Sequence, residues 1–166
     1  MADIRILMGS DSDLDVVQEA ITVLKEFGVS HEARVLSAHR TPRQVAEYVA
    51  KADHEGAKAY IAAAGGAAHL GGVIAALTPR PVLAIPVTSA LNGLDSLLSM
   101  VQMPGGVPVE VFAIGKAGAK NAGLFAVQIL ALSNTELAKK FAGYKEKMGA
   151  QVLEKDAALQ KKLKSQ

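Results

Sequence analysis

The sequence contains no cysteine and no tryptophan, and aromatic residues make up only 4% of its 166 positions. Without cysteine there can be no disulfide, no thiolate nucleophile and no Cys-ligated zinc or iron–sulfur centre. Half of the residues are hydrophobic, so a core short of aromatics must be built from Ala, Val, Ile and Leu, which suits close packing of helices on a sheet. A formal net charge of +2 is too small to imply nucleic acid or an anionic membrane surface as a partner. No apolar run approaches the roughly 20 residues that span a bilayer, and the opening "MADIRILMGS" is not built like a signal peptide. The expectation is therefore a cytoplasmic protein, with neither membrane nor nucleic acid as partner. The four histidines show no H-E-x-x-H or other ligand spacing, so no metal is expected. The length suits one domain over 1–166, with residues from about 133 onward forming a helical tail.

Along the chain, apolar runs alternate with helical periodicities. Residues 4–8 read as a buried strand, and "GSDSD" at 9–13 leads into a helix with Val17, Ala20, Ile21, Leu24 and Phe27 on one face, stopped by Gly28. Further strands are predicted at 32–36, 59–64, 81–87 and 109–114. Helices are predicted from Pro42 toward Gly56, from His69 toward Leu77, within 88–108, over 117–132 and from Thr135 onward. At the first of these helices Thr41 takes the N-cap, Pro42 the first helical position, and Gln44 closes a capping box. The 117–132 segment is apolar nearly all round, as expected of a helix that is buried or faces another subunit. The alternation implies an α/β domain with a parallel sheet and helices on both faces. Ligands of such sheets bind outside the carboxyl ends of the strands. Three polar clusters fall at such ends, at residues 10–13, 37–40 and 65–69.

The first strand-to-helix loop lacks the G-x-G-x-x-G of a dinucleotide fold and the lysine of a P-loop. The third strand ends in Ala64 and Gly65, where a phospho-receiver domain would need an aspartate, and no loop aromatic is placed to stack on a flavin. What remains suits a phosphorylated small molecule. Ser10, Ser12 and Ser37 offer hydroxyls, Arg40 can fork two bonds onto a phosphate, and the helix after Pro42 directs its positive end to the same place. Asp13 would repel phosphate and suits ribose hydroxyls better. His39 carries the residue type that takes up and returns protons near neutral pH. Each has a plainer reading: residues 10–13 as a capped helix start, Arg40 as a surface charge, His39 as a loop histidine, His69 as a structural histidine at a helix start. Gly65 and Gly66 allow either a tight turn or close approach of a flat ligand to bare backbone. The "MPGG" at 103–106 is either a turn or a flap. His31 and His54 lie on polar faces with no evident partners.

Five stretches in order, "MGSDSD", "SAHRTP", "AAAGGAAHL", "DSLLSMVQMPGGVPV" and "AIGKAGAKNAG", together resemble the PurE family of purine biosynthesis over residues 4–132. The stretch "GGAAHL" looks like the branch that moves a carboxyl group within N5-carboxyaminoimidazole ribonucleotide. A sister branch carboxylates aminoimidazole ribonucleotide directly with CO2. Gly71 departs from the family, which usually has proline after "HL". The resemblance implies a flavodoxin-like three-layer fold, a homo-octamer with sites near subunit contacts, a small ribonucleotide substrate, and no metal, ATP or organic cofactor. Carried onto this chain, it implies that Ser10, Asp13, Ser37 and Arg40, with Ser12 and Ala38 beside them, hold the ribose phosphate. His39 is then the general acid and base with His69 close by, and Gly65, Gly66 and Ala67 wall the ring and carboxylate region. Direct carboxylation and a non-catalytic nucleotide-sensing module are the rival readings.

Overall fold

A computed structural model of the chain describes residues 2–165. Five strands, β1 (Ile4–Met8), β2 (His31–Val35), β3 (Ala59–Gly65), β4 (Val82–Val87) and β5 (Glu110–Val111), alternate with α1 (Leu14–Phe27), α2 (Pro42–His54), α3 (Leu70–Leu77), α4 (Leu94–Val101) and α5 (Lys116–Ala131). A last helix, α6 (Thr135–Lys164), closes the chain. All pairings are parallel, in the order β2-β1-β3-β4-β5. That order is the flavodoxin-like arrangement. β1, the first six residues of β3 and the first five of β4 are buried throughout, as strands covered on both faces must be.

Alternation divides the strand residues between two apolar layers. Leu7, Tyr60, Ala62, Val82 and Ala84 pack with Val45, Val49 and Ala52 of α2, Leu70 and Ile74 of α3 and Met100 of α4. The alternate residues Ile4, Ile6, Ile61, Leu83 and Ile85 are fully buried on the opposite face, as are Val17, Ala20 and Leu24 of α1 and Ala119, Ala122 and Ala126 of α5. α5 lies so close to α1 that a Cβ at Gly123 would sit 3.0 Å from the Ala20 carbonyl oxygen. The scarcity of aromatics is what permits this: small side chains let backbones approach.

The chain divides into two compact units, the first running as far as Val127 and the second beginning at Gln128. The strands and the polar loops all belong to the first. The second contains α6, capped by the Asn134 side chain, which accepts from the Leu137 N–H at 3.1 Å.

Two local expectations need correction. β5 has two residues, not the six of 109–114. Its hydrogen bonds to β4 continue as Phe112 N–H to Ala84 O at 3.0 Å and Gly115 N–H to Pro86 O at 2.9 Å. Pro86 has no N–H to return, so the ladder breaks there. The capping box at 41–44 is also absent. Thr41 is the N-cap but makes no side-chain cap bond; its hydroxyl instead accepts from Ser37 N–H at 2.9 Å and donates to Ser37 O at 3.0 Å. Pro42 does hold the first helical position.

Candidate active site

Strand order reverses between β1 and β3, because the chain leaves β1 for β2 on one side and later places β3 on the other. The loops after those strands therefore part and leave a crevice at the carboxyl ends. A cavity of about 420 Å³ occupies it, large enough for a nucleotide-sized ligand. The β1 loop supplies Gly9, Ser10, Ser12 and Asp13, the β2 loop Ser37, Ala38, His39 and Arg40, and the β3 loop Ala64, Gly65, Ala67, His69 and Leu70. Val87 and Thr88 complete the wall from the end of β4. Every residue expected to hold the substrate or act on it lines this cavity except Gly66. Gly9, Leu70, Val87 and Thr88 were not singled out, although the rule that ligands sit beyond strand ends pointed to the last two.

The β1 loop is a single 3-10 turn closed on itself. Ser10 accepts from the Ser12 N–H at 3.3 Å, and the Asp13 carboxylate accepts from the Ser10 N–H at 3.2 Å. The plainer reading of this stretch as a capped helix start is thus correct, and the same turn faces the cavity. Asp13 is only 7% exposed. That burial pushes its carboxyl above the ordinary range, against the opposing pull of the Ser10 N–H and the Arg40 charge.

Ser37 organises the β2 loop. Its hydroxyl oxygen accepts from the His39 N–H at 3.3 Å, the Arg40 N–H at 3.2 Å and Arg40 Nε at 3.4 Å. With its lone pairs so engaged, its proton is the part left to offer an anion. Arg40 Nη2 reaches across to donate to the Gly9 carbonyl at 2.6 Å, tying this loop to the first. Arg40 also lines an adjoining recess of about 280 Å³ with Gly9, Ser10 and Ser37. The Arg40 guanidinium and the Ser10 and Ser37 hydroxyls converge there beside Asp11, donors of the kind that bind an anion.

His39 Nε2 lies 2.8 Å from His69 Nδ1, with the rings edge to face at 87° and centroids 4.9 Å apart. Both side chains are exposed to the cavity mouth. One nitrogen must carry the proton and the other a lone pair, so two imidazolium rings cannot keep this contact. One proton is shared across the contact, which makes the two rings a single hydrogen-bonded unit. His69 is also the N-cap residue of α3, so its plainer reading as a histidine at a helix start agrees with its position.

Gly66 turns away from the cavity lining. Its φ of +67° makes the corner of the β3 loop, a conformation that favours glycine. Its N–H donates to Ser89 Oγ at 3.1 Å and Ser96 Oγ at 2.9 Å. The 103–106 stretch contains a turn, Val107 N–H to Pro104 O at 3.2 Å, and does not line the cavity. His31 has a partner after all, its Nδ1 donating to the Val29 carbonyl at 2.9 Å. A separate charged cluster lies away from the cavity: Arg5, 3% exposed, is paired with Glu32 and with Glu55 at 2.7 Å, beside Tyr48, whose hydroxyl burial pushes up to about 12. Its charges are paired, while Arg5 Nε and the Tyr48 hydroxyl are buried without a hydrogen-bond partner. Among the described residues no group of three or more His, Cys, Asp or Glu is placed to hold a metal ion.

The AIR carboxylase family model matches residues 3–151. A protein of Thermotoga maritima named N5-carboxyaminoimidazole ribonucleotide mutase is 52% identical over 161 residues, covering 96% of this chain and 93% of its own. One of the same name from Bacillus subtilis is 53% identical over 152 residues, covering 91% and 94%. Among solved structures, Treponema denticola PurE superposes with a TM-score of 0.86 at 29% identity, over 94% of this chain and 97% of that one.

Proposed function

The chain belongs to the AIR carboxylase family, and from that membership we propose that it converts N5-carboxyaminoimidazole ribonucleotide to 4-carboxyaminoimidazole ribonucleotide. The family model is described by direct carboxylation, whereas the relatives at about half identity are mutases. The observation that supports a shuttle of protons in this chain is the His39–His69 contact at 2.8 Å, set beside the anion anchor of Ser37 and Arg40.

Ser10, Ser37 and Arg40 take the ribose phosphate, with Ser12 and Ala38 beside them, and Asp13 accepts from the ribose hydroxyls. Gly65 and Ala67 wall the ring. Gly66 serves by holding that wall in place. His39 gives a proton to the exocyclic nitrogen of the carbamate; the nitrogen–carbon bond breaks, its electron pair stays on nitrogen, and CO2 leaves. Held in place, CO2 is attacked by carbon 4 of the electron-rich ring, so recombination is effectively intramolecular. The proton displaced from carbon 4 returns to His39 and the ring recovers its aromaticity. One proton goes out and one comes back, which suits a single acid–base group. His69 sits at the far side of the shared hydrogen bond and fixes which nitrogen of His39 bears the proton.

We further place the reaction in the cytoplasm and in a homo-oligomer, an octamer by the family resemblance, with sites near subunit contacts. Both compact units are taken as one functional domain with α6 as its tail. Incubating the purified protein with the carbamate ribotide and following the carbon-4 carboxylate tests the central reading. Conversion without added ATP or metal supports it; product formed only from aminoimidazole ribotide and dissolved CO2 replaces it with direct carboxylation.

A further inference from the structure

Behind the β3 loop lies a cluster of hydroxyls on the β4–α4 connection and α4, none of which lines the cavity. Its centre is the Gly66 N–H, which donates to both Ser89 Oγ and Ser96 Oγ. A serine has one proton, and both are already committed: Ser89 donates to Asp95 Oδ2 at 2.6 Å and Ser96 to the Val87 carbonyl at 2.7 Å. Each hydroxyl therefore presents only lone pairs to Gly66. The other side of the same peptide corner is held too, since Gly66 O accepts from the Ala68 N–H at 2.8 Å; the Ser99 hydroxyl nearby donates to the Asp95 carbonyl at 2.7 Å. Ser96 is fully buried, where a misdirected hydroxyl is costly.

We infer that Asp95 is a positioning residue for the proton-sharing pair, acting through Ser89 and the Gly66 corner on His69 and thence on His39. The path is short. Only Ala67 and Ala68 separate Gly66 from His69, and the His69 N–H is itself closed onto the Ala67 carbonyl at 2.9 Å. The corner thus hands its position to a ring whose hydrogen bond to His39 tolerates little error. Removing the Asp95 carboxylate frees the Ser89 proton to turn toward Ser96, 3.2 Å away, and the tuned pair of acceptors is lost. The phosphate anchor stands on the β1 and β2 loops and is untouched, so the loss falls on turnover and spares affinity. The meaning of that rate rests on the mutase reading above; the geometry does not.

The test is steady-state kinetics together with nitrogen-15 NMR of the histidine rings in Asp95→Ala, Ser89→Ala and Asp95→Asn. Asp95→Ala and Ser89→Ala are each expected to lower kcat about 10-fold or more, as small misplacements of a catalytic group do, with KM within about threefold of wild type. Their His39 and His69 ring signals should lose the hydrogen-bonded signature, and the His39 signal should approach that of His69→Ala. Asp95→Asn keeps an oxygen for the Ser89 hydroxyl and should recover most of both readouts. Ser89→Ala carries the test if Asp95→Ala does not fold. Unchanged ring signals and unchanged kcat per folded chain in these variants overturn the inference, as does a loss confined to stability. Should wild type fail to convert the carbamate while the ring signals still depend on Asp95, the mutase reading falls and the positioning role stands.

Discussion

His39 is where the chemistry and the anchor part company, and three substitutions separate them. His39→Asn keeps a polar side chain but no shuttled proton, so turnover should fall by about 10²–10⁴-fold while ribotide still binds; activity near wild type in a single-turnover assay would contradict its role. Arg40→Ala should instead weaken ribotide affinity by the worth of a charge-assisted bond, about 1.5–3 kcal/mol, read by calorimetry, and leave binding of the phosphate-free riboside nearly unchanged. Asp13 answers to pH. Its folded carboxyl is raised by burial, so its favourable contribution exists only at acid pH and is lost as pH rises through the folded value. Asp13→Asn still accepts from the Ser10 N–H and carries no charge. It should raise Tm at pH 7, lose that advantage as pH falls through the raised folded value toward the ordinary carboxylate range, and bind ribotide less tightly. A gain equal at both ends of that range would mean that burial of charge is not the cause. These residues were legible in the sequence because each loop is local, a polar run at a strand end. The His39–His69 contact was not legible from the residues, and only the family resemblance put His69 close by, since the partners are 30 positions apart and meet through the β2-β1-β3 order. The exclusion of Gly66 from the cavity was hidden for the same reason: Ser89 and Ser96 reach it from another strand end.

Glycine inside helices shows how packing overrides local preference. In α5 a Cβ at Gly118 would lie 1.6 Å from the Ala113 carbonyl oxygen, so the helix closes on its own lead-in only because that position is bare. Gly118→Ala forces the backbone apart and should cost about 3 kcal/mol or more, beyond ordinary overpacking. In α6 a Cβ at Gly143 meets nothing within 4 Å, and there Ala should stabilise the helix by about 0.5–1 kcal/mol. Urea midpoints read both changes, and effects of the same sign would refute the contrast. Periodicity located α2, α3 and α5 to within a residue or two and placed α4 only within 88–108, because burial of one face writes itself into the sequence. It failed where hydrogen bonding decided. The length of β5 depended on a proline in its neighbour, and the Thr41 hydroxyl chose the Ser37 turn over the helix end.

Burial alone leaves the single chain unfinished. Leu91, Leu94, Leu98 and Val101 are each 46–63% exposed along and just before α4, a run of apolar surface that monomers rarely leave uncovered. Sedimentation equilibrium is expected to find a homo-oligomer of the 17.3 kDa chain, an octamer by the resemblance, and a monomer at micromolar concentration would contradict it. Assembly also bears on the chemistry. His39, Arg40, Gly65, Ala67 and His69 are exposed at the cavity mouth, so the walls of one chain do not confine a molecule as small as CO2. Confinement falls to whatever covers the mouth, in our reading a neighbouring copy. Carbamate substrate labelled with carbon-13, supplied in excess unlabelled bicarbonate, reads that confinement directly. If recombination outruns escape, the product keeps most of its label, and retention should drop when dilution dissociates the oligomer. Product labelled at the level of the bulk pool would mean that free CO2 is the substrate. The cavity would then hold aminoimidazole ribotide alone, and "GGAAHL" would line the site of a direct carboxylase.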